Sequence, residues 1–323
     1  MPRPSPAVAQ AFAPAHLSAF FAMELHPLDL LRSGSRGAGL CLTEGAWAQV
    51  HASPDHLPPG EEGEVHITLD GEPALAPTTQ AALQEMLGGQ RLATAGMPAH
   101  FQVHLRPQLP LHQGFGMSGA GTLAACLALG KLLGVPPLVA QQCAHVAEVS
   151  QRTGLGDVAG MCVGGMAIRT SAGAPGCNSV LHIPLRPPPQ LVMAQLQEGI
   201  KTMEVLNDPQ RMAAINAAAT RALERTLAAR SLEELLRAAA QFDVEAGLLP
   251  PAFTHALEAI EGIGVGARVL LGGTLMALGD VAPLQRRLAP FGATRVVTVG
   301  NVPARTEERW PYPPADTSPH RPA

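Results

Sequence analysis

Aromatic side chains are scarce in this chain: Phe, Trp and Tyr together make up 3% of its 323 residues. A core must therefore be built from Leu, Val, Ala and Met, in a fold of small side chains. Charge is scarce as well, at 15%, and the formal balance is -4 with only 22 basic residues. Such a chain carries no basic field for a polyanion, which excludes nucleic acid as a partner and leaves any phosphate contact to be made locally, with a small molecule. Paired cysteine spacing is missing: Cys41, Cys126, Cys143, Cys162 and Cys177 are odd in number, form no CxxC and sit among small or apolar neighbours. That reads as reduced thiols in a cytoplasmic protein rather than disulfides or a metal centre. Long apolar runs are missing too. The opening segment MPRPSPAVAQAFAPAHLSAFFAMEL is apolar in flavour but broken by Pro and His. Nothing approaches the ~20 residues that cross a bilayer, so neither secretion nor membrane insertion is expected.

What is present is a patterned globular chain long enough for two ordinary domains. GLCLTEG, AWAQVHA, EVHITLDG and HFQVHLRPQL read as strands bounded by Gly and Pro, the last two with polar residues at every second position, which is antiparallel-sheet patterning. From Ser118 the period becomes helical through Leu133, and LVAQQCAHVAEVSQR supplies a second helix after Pro136 and Pro137. Strand patterning returns in GGMAIRTS and SVLHIPL, and the prolines between Pro184 and Gln190 mark a boundary that neither element can cross. Beyond it come a strand at LVMAQL and a helical stretch from Met212 to Gln241 interrupted near Ala229 to Ser231. PPAFTHALEAIEG adds a helix with its prolines at the start. ARVLLGGTLMALG, VAPLQRRLAPFG and ATRVVTVG follow as strand pair, helix and strand. No βαβ regularity appears, so the expected class is α+β, with helices packed on mostly antiparallel sheets. The expected division is a first domain over 1-186, a second over 187-302, and a Pro-rich, poorly ordered tail over 303-323.

The stretch LPLHQGFGMSGAGTLAA sets several glycines just ahead of a helix. Gly114, Gly116 and Gly119 satisfy GxGxxG, yet no Asp or Glu follows until Glu148, which removes the acid that a dinucleotide fingerprint needs about 20 residues on. A Walker A loop fails as well, because no Lys-Ser or Lys-Thr closes the spacing. What remains is a Gly-rich loop entering a helix, with Ser118 near the cap and Thr122 in the first turn. Either it is a plain helix cap, or its backbone N–H groups and dipole receive a phosphate while the Ser118 hydroxyl reaches a phosphate-bound Mg²⁺. Glu148 ends the next helix and Asp157 follows a second Gly-rich turn. Singly these are a solvated helix residue and an N-cap; together they can hold a metal and orient a hydroxyl.

GFGMSGAGTLAA resembles the second motif of the GHMP kinase superfamily, PxxxGxGSSAA, and TGLGDVAGMCVGG resembles the segment that carries the catalytic Asp of its mevalonate-kinase-like members. AFAPAHLSAFF, RSGSRGAGLCL, GFGMSGAG, AHVAEVSQRTGLGDV and GGMAIRTSAGAPG, in this order over most of Ala11 to Gly176, are similar to the archaeal-type pantoate kinases within that superfamily. The resemblance implies a two-domain GHMP-kinase-like fold, ATP and Mg²⁺ as cofactors, a small-molecule substrate with pantoate first, and a homodimer. It implies that the backbone of Gly114, Gly116, Ser118, Gly119, Ala120, Gly121 and Thr122 receives the ATP phosphates. Ser118 would bind Mg²⁺-ATP, Glu148 would ligate the magnesium, and Asp157 would serve as base or orienter for the substrate hydroxyl. Ser35, His145, Arg169 and Thr202 match positions that the family uses around pantoate. Arg169 is a forked donor suited to a carboxylate, and pantoate has one. A third Gly-rich motif is represented by VLLGGTLMALG, with Gly272 and Gly273. A GHMP kinase for a homoserine- or mevalonate-like acceptor, and a non-catalytic metabolite-binding homologue, stand as alternatives.

Overall fold

The computed structural model describes residues 7–55, 63–90, 98–196, 209–270 and 272–313. Its longest strands are antiparallel, β1 (Ala7–Glu24) and β2 (Gly34–Ala52), which pair along nearly their whole length. Patterning resolved only part of β2 and none of β1. The reason is that β1 is buried on both faces through most of its length, so the polar alternation that marks a half-exposed strand is absent. Pro14 is accommodated where the register shifts between Pro14 and His16, a place where a missing N–H costs little.

Around this pair the larger sheet adds β3 (Glu64–Leu69), β4 (Glu72–Pro73), β5 (His100–Pro107), β6 (Met166–Arg169) and β7 (Val180–Ile183). All ladders in it are antiparallel except β3 with β5. Helices α1 (Pro77–Gln90), α2 (Met117–Leu133) and α3 (Pro137–Ser150) pack against one another, and α2 lies on β1 and β2. Helix α2 is buried on all sides from Gly119 to Gly130. Its Ala, Gly and Cys side chains let it approach the equally small Ala11, Ala13 and Ala48 of the strands. Helix α1 was not legible in the sequence: Thr78 and Thr79 open it, and two glycines near its end weaken the helical signal. A hydrogen bond of 2.9 Å between Thr79 and Thr122 ties it to α2.

A short helix α4 (Asp157–Met161) precedes β6. The smaller sheet follows the prolines, in the order β11 (Ala293–Thr298), β8 (Gln190–Gln195), β10 (Thr274–Gly279), β9 (Gly264–Arg268). Helices α5 (Pro209–Ala229), α6 (Leu232–Glu245), α7 (Pro251–Ala259) and α8 (Val281–Leu288) accompany it. The break expected near Ala229 to Ser231 is present: the Ser231 hydroxyl accepts from the Glu234 N–H and starts α6, the first half of a capping box. One apolar core runs continuously from β1 and α2 to α5 and α6, and a smaller one lies between the second sheet and helices α7 and α8.

The expectation of an unordered tail from 303 is corrected for residues 303–313. Arg305–Glu307 form β12, which pairs with β1. Trp310 and Tyr312 then pack on Trp47, with ring centroids 6.3 and 6.5 Å away. Both tryptophans of the chain and its one tyrosine meet in this cluster, which gives a proline-rich segment the apolar anchor that its composition conceals. Residues 314–323 lie outside the described residues.

Candidate active site

The middle of β1 assembles the site. The His16 N–H donates to the Phe115 carbonyl of the glycine loop at 3.1 Å, and the Ser18 carbonyl accepts from Leu270 of the β9–β10 turn at 2.8 Å. The same two residues hold Asp157: His16 Nδ1 donates to its Oδ1 at 2.7 Å, and the Ser18 hydroxyl donates to that oxygen at 2.9 Å. The imidazole is buried, with Gly39 and Gly160 against its ring where any Cβ would collide. Burial holds its pKa below the usual value, against the pull of Asp157, so the ring is neutral and acts as an N–H donor. Asp157 keeps 22% of its side-chain surface open. Burial pushes its carboxyl up, but the hydrogen bonds from His16 and Ser18 and the charge of Arg169 outweigh this and leave it below the ordinary range.

Glu148 is the opposite case. It projects from the last turn of α3 into the interior, and its Oε1 has no hydrogen-bond partner among the described residues. Burial first, then the charge of Asp157, raises its pKa to about 8, while the hydroxyls of Thr153 and Ser118 pull the other way. Gly154 separates the two acids: a Cβ there would meet Glu148 Oε2 and lie 3.2 Å from Asp157 Oδ2. Gly119, at the start of α2, faces the same Glu148 oxygen, 3.4 Å from where its Cβ would be.

Arg169 is 1% exposed at the end of β6, yet its Nε and Nη1 have no partner among the described residues. Burial depresses its pKa and the Asp157 charge opposes that. Gly156 gives it room: a Cβ there would stand 2.5 Å from the Ser35 hydroxyl and 2.6 Å from Arg169 Nε. Ser35 is buried on β2, next to the same space. A desolvated guanidinium with two free donors is costly unless an anion completes it.

The glycine loop closes the site on its remaining side. Gly114 and Gly116 have φ of 91° and 63°, a left-handed backbone that glycine adopts without penalty. Gly116 is the N-cap of α2, and Ser118 is exposed in its first turn. The Gly272 turn packs on this loop: a Cβ on Gly272 would be 3.1 Å from Gly114 Cα, and the Thr274 hydroxyl donates to the Gln113 carbonyl at 2.9 Å.

Four expected positions, Ala120, Gly121, Thr122 and His145, are turned into the interior. Thr122 turns inward to Thr79, and Ala120 and Gly121 are buried in α2, so the open part of the loop ends near Gly119. His145 is buried with Nε2 on the Ser33 carbonyl at 2.8 Å, where it props the chain leading to Ser35; burial lowers its pKa against the pull of the Ser33 and Leu30 carbonyls. Thr202 lies outside the described residues. Sequence reasoning missed His16 and Ser18. The available signal was an uncompensated His-x-Ser within an apolar run, which indicates polar groups with a buried partner.

Residues 78–165 match the model of the GHMP kinases N terminal domain. The chain is 31% identical to a pantoate kinase from Thermococcus kodakarensis over 83% of this chain and 87% of that one. It is 27% identical to a pantoate kinase from Methanospirillum hungatei over 90% and 93% respectively. Among solved structures, a phosphotransferase related to the coenzyme A biosynthesis pathway superposes with a TM-score of 0.78 at 26% identity, covering 93% of this chain and 99% of that one. A homoserine kinase from Cytophaga hutchinsonii superposes at 0.60 with 18% identity over 93% and 97%, a likeness of fold.

Proposed function

Because the chain belongs to the pantoate kinase family of GHMP kinases, we propose that it transfers the γ-phosphoryl group of ATP to the primary hydroxyl of pantoate, giving 4-phosphopantoate for coenzyme A synthesis. The observation that carries the acceptor is Arg169, a buried guanidinium with unpartnered Nε and Nη1 in the cleft that also holds Asp157. Pantoate places a carboxylate and a hydroxyl on one small molecule, and Arg169 with Ser35 binds the first while Asp157 receives the second. His145 sets the approach of the Ser35 segment.

The backbone N–H groups at Gly114, Gly116, Ser118 and Gly119 receive the ATP phosphates, next to the α2 N-terminus. Glu148 and Ser118 fit magnesium: both are hard oxygen donors, and Glu148 Oε1 is buried without a partner. Held by these residues, Mg²⁺ would supply charge neutralisation for the transferring phosphate. Asp157 is held ionised, with Oδ1 taken by His16 and Ser18, so the rest of the carboxylate accepts the hydrogen bond of the pantoate hydroxyl. A carboxylate of low basicity orients that hydroxyl rather than stripping it early, and takes the proton as the new P–O bond forms and the bond to the β-phosphate breaks. His16 is a positioning residue: it fixes the carboxylate without touching substrate.

We read 1-186 and 187-302 as the two domains. The two sheets on either side of the prolines support this division, with a shared core across it. Five free thiols suit a reducing cytoplasm, and no helix among the described residues is long and apolar enough to cross a membrane. The assembly that fits the family resemblance is a homodimer, which sedimentation tests. An ADP-release assay across pantoate, pantothenate, homoserine and mevalonate tests the acceptor: turnover is expected with pantoate, and a higher kcat/KM for another member of the panel would replace it.

A further inference from the structure

Away from the cleft, three ligand-type side chains meet on the larger sheet. Strand β3 runs parallel to β5, with Glu64 level with His100 and His66 level with Gln102. Residues two apart on a strand share a face, so Glu64, His66 and His100 project from the same side. Glu64 Oε2 lies 3.5 Å from His66 Nε2 and 3.4 Å from His100 Nδ1, and one ligand atom from each of the three lies within 4.8 Å of the others. A tetrahedral ion with bonds of about 2.0–2.1 Å sets its ligands about 3.4 Å apart. Two of the three edges already have that length. Among the described residues no other His, Cys, Asp or Glu group of three converges in this way.

We propose that Glu64, His66 and His100 form a surface site for a borderline divalent cation, Zn²⁺ above all, with a fourth position left to water. The donor set decides the metal. Two imidazoles suit Zn²⁺, Ni²⁺ or Cu²⁺, whereas Mg²⁺ requires oxygen ligands, so this site does not compete for the ion that Glu148 and Ser118 hold. All three side chains are exposed, so the ion enters without rearrangement of the fold. Its effect is on the sheet. It ties together the one parallel ladder among the described residues, at a side where the two-residue β4 follows, and because the three ligands converge only in the folded chain, binding stabilises the native state.

The test is calorimetric titration of the tag-free full chain with ZnCl₂, in excess Mg²⁺ and in a Cys177→Ser background that removes the exposed thiol. One ion is expected, with affinity falling at least ~10-fold in His66→Gln and in His100→Gln. Zn²⁺ should raise the thermal midpoint of the parent and not of either variant, while phosphoryl transfer to pantoate stays unchanged in both. Full Zn²⁺ affinity in either variant, or no uptake by the parent at millimolar Zn²⁺, overturns the proposal.

Discussion

Among the described residues two arginines are almost wholly buried, and their surroundings differ. Arg268 of β9 meets Asp243 of α6 through Nε at 3.1 Å and Nη2 at 2.7 Å, and lies 5.7 Å from the Phe253 ring centroid. Arg169 of β6 is equally buried, but its Nε and Nη1 face no acceptor among the described residues. The first is a finished ion pair in which only Nη1 lacks a partner among the described residues, and the second an unfinished one. Burial of a cation is tolerated when an anion completes it, and for Arg169 we propose that the substrate carboxylate is that anion.

The largest expected effect comes from breaking the finished pair. Arg268→Met leaves the Asp243 carboxylate buried and uncompensated, and stability should fall by about 3–5 kcal/mol; burial already pushes that carboxyl up despite Arg268. Urea unfolding measures this, and the double variant Arg268→Met, Asp243→Leu should recover most of the loss. A single variant as stable as the parent would mean that the pair carries no stability.

Next in size, Asp157→Asn removes the carboxylate whose charge acts on Arg169 and which is proposed to orient the hydroxyl. Turnover should drop by about 10²-fold or more with ATP binding kept, as single-turnover and nucleotide-binding measurements would show. His16→Leu should lower kcat by a smaller factor with little change in KM for ATP, because the carboxylate remains but loses its main anchor; His16→Asn, which keeps an N–H donor, should recover part of it.

Arg169→Lys keeps the charge and loses the fork. The kcat/KM for pantoate should fall by roughly 10- to 150-fold, the range of about 1.5–3 kcal/mol for a charged hydrogen bond, and the thermal midpoint should hold, in contrast to Arg268. An acceptor with its carboxylate reduced to an alcohol should be affected much less; equal penalties on both acceptors would remove Arg169 from carboxylate recognition.

The smallest effect is on pH dependence. The Glu148 carboxyl, raised to about 8 by burial, binds its proton more tightly folded than unfolded. Its contribution to stability is therefore complete below the unfolded value and is lost as pH rises through about 8. In EDTA, Glu148→Gln should raise the thermal midpoint by a few degrees at pH 8.5 and by almost nothing at pH 5. An equal gain at both pH values would show that the proton is not involved.

Much of the site was legible because its residues lie in short segments whose backbone chemistry is local. The Gly114–Gly119 loop, Glu148 and Asp157 could be picked out as a set from spacing and residue type, whereas Arg169 was reached only through the family resemblance. His16, Ser18 and helix α1 could not. His16 meets Asp157 across 141 positions, and a strand buried on both faces hides its polar residues within an apolar run. Thr122 was expected at the phosphates with the rest of the loop, and only the packing of α1 on α2 shows its hydroxyl turned inward to Thr79.

The sequence by itself determined the class of fold and a Gly-rich entry to a helix, and through its family resemblance the reaction type, because glycine torsions, helix entry and motif chemistry act over a few neighbouring positions. Tertiary structure alone decided which buried groups are satisfied and which are left open. Arg268 and Arg169 look alike in one dimension, and so do Glu148 and Asp157. Desolvation and long-range hydrogen bonds separate each pair, since both depend on which distant side chains the fold brings within a few ångströms.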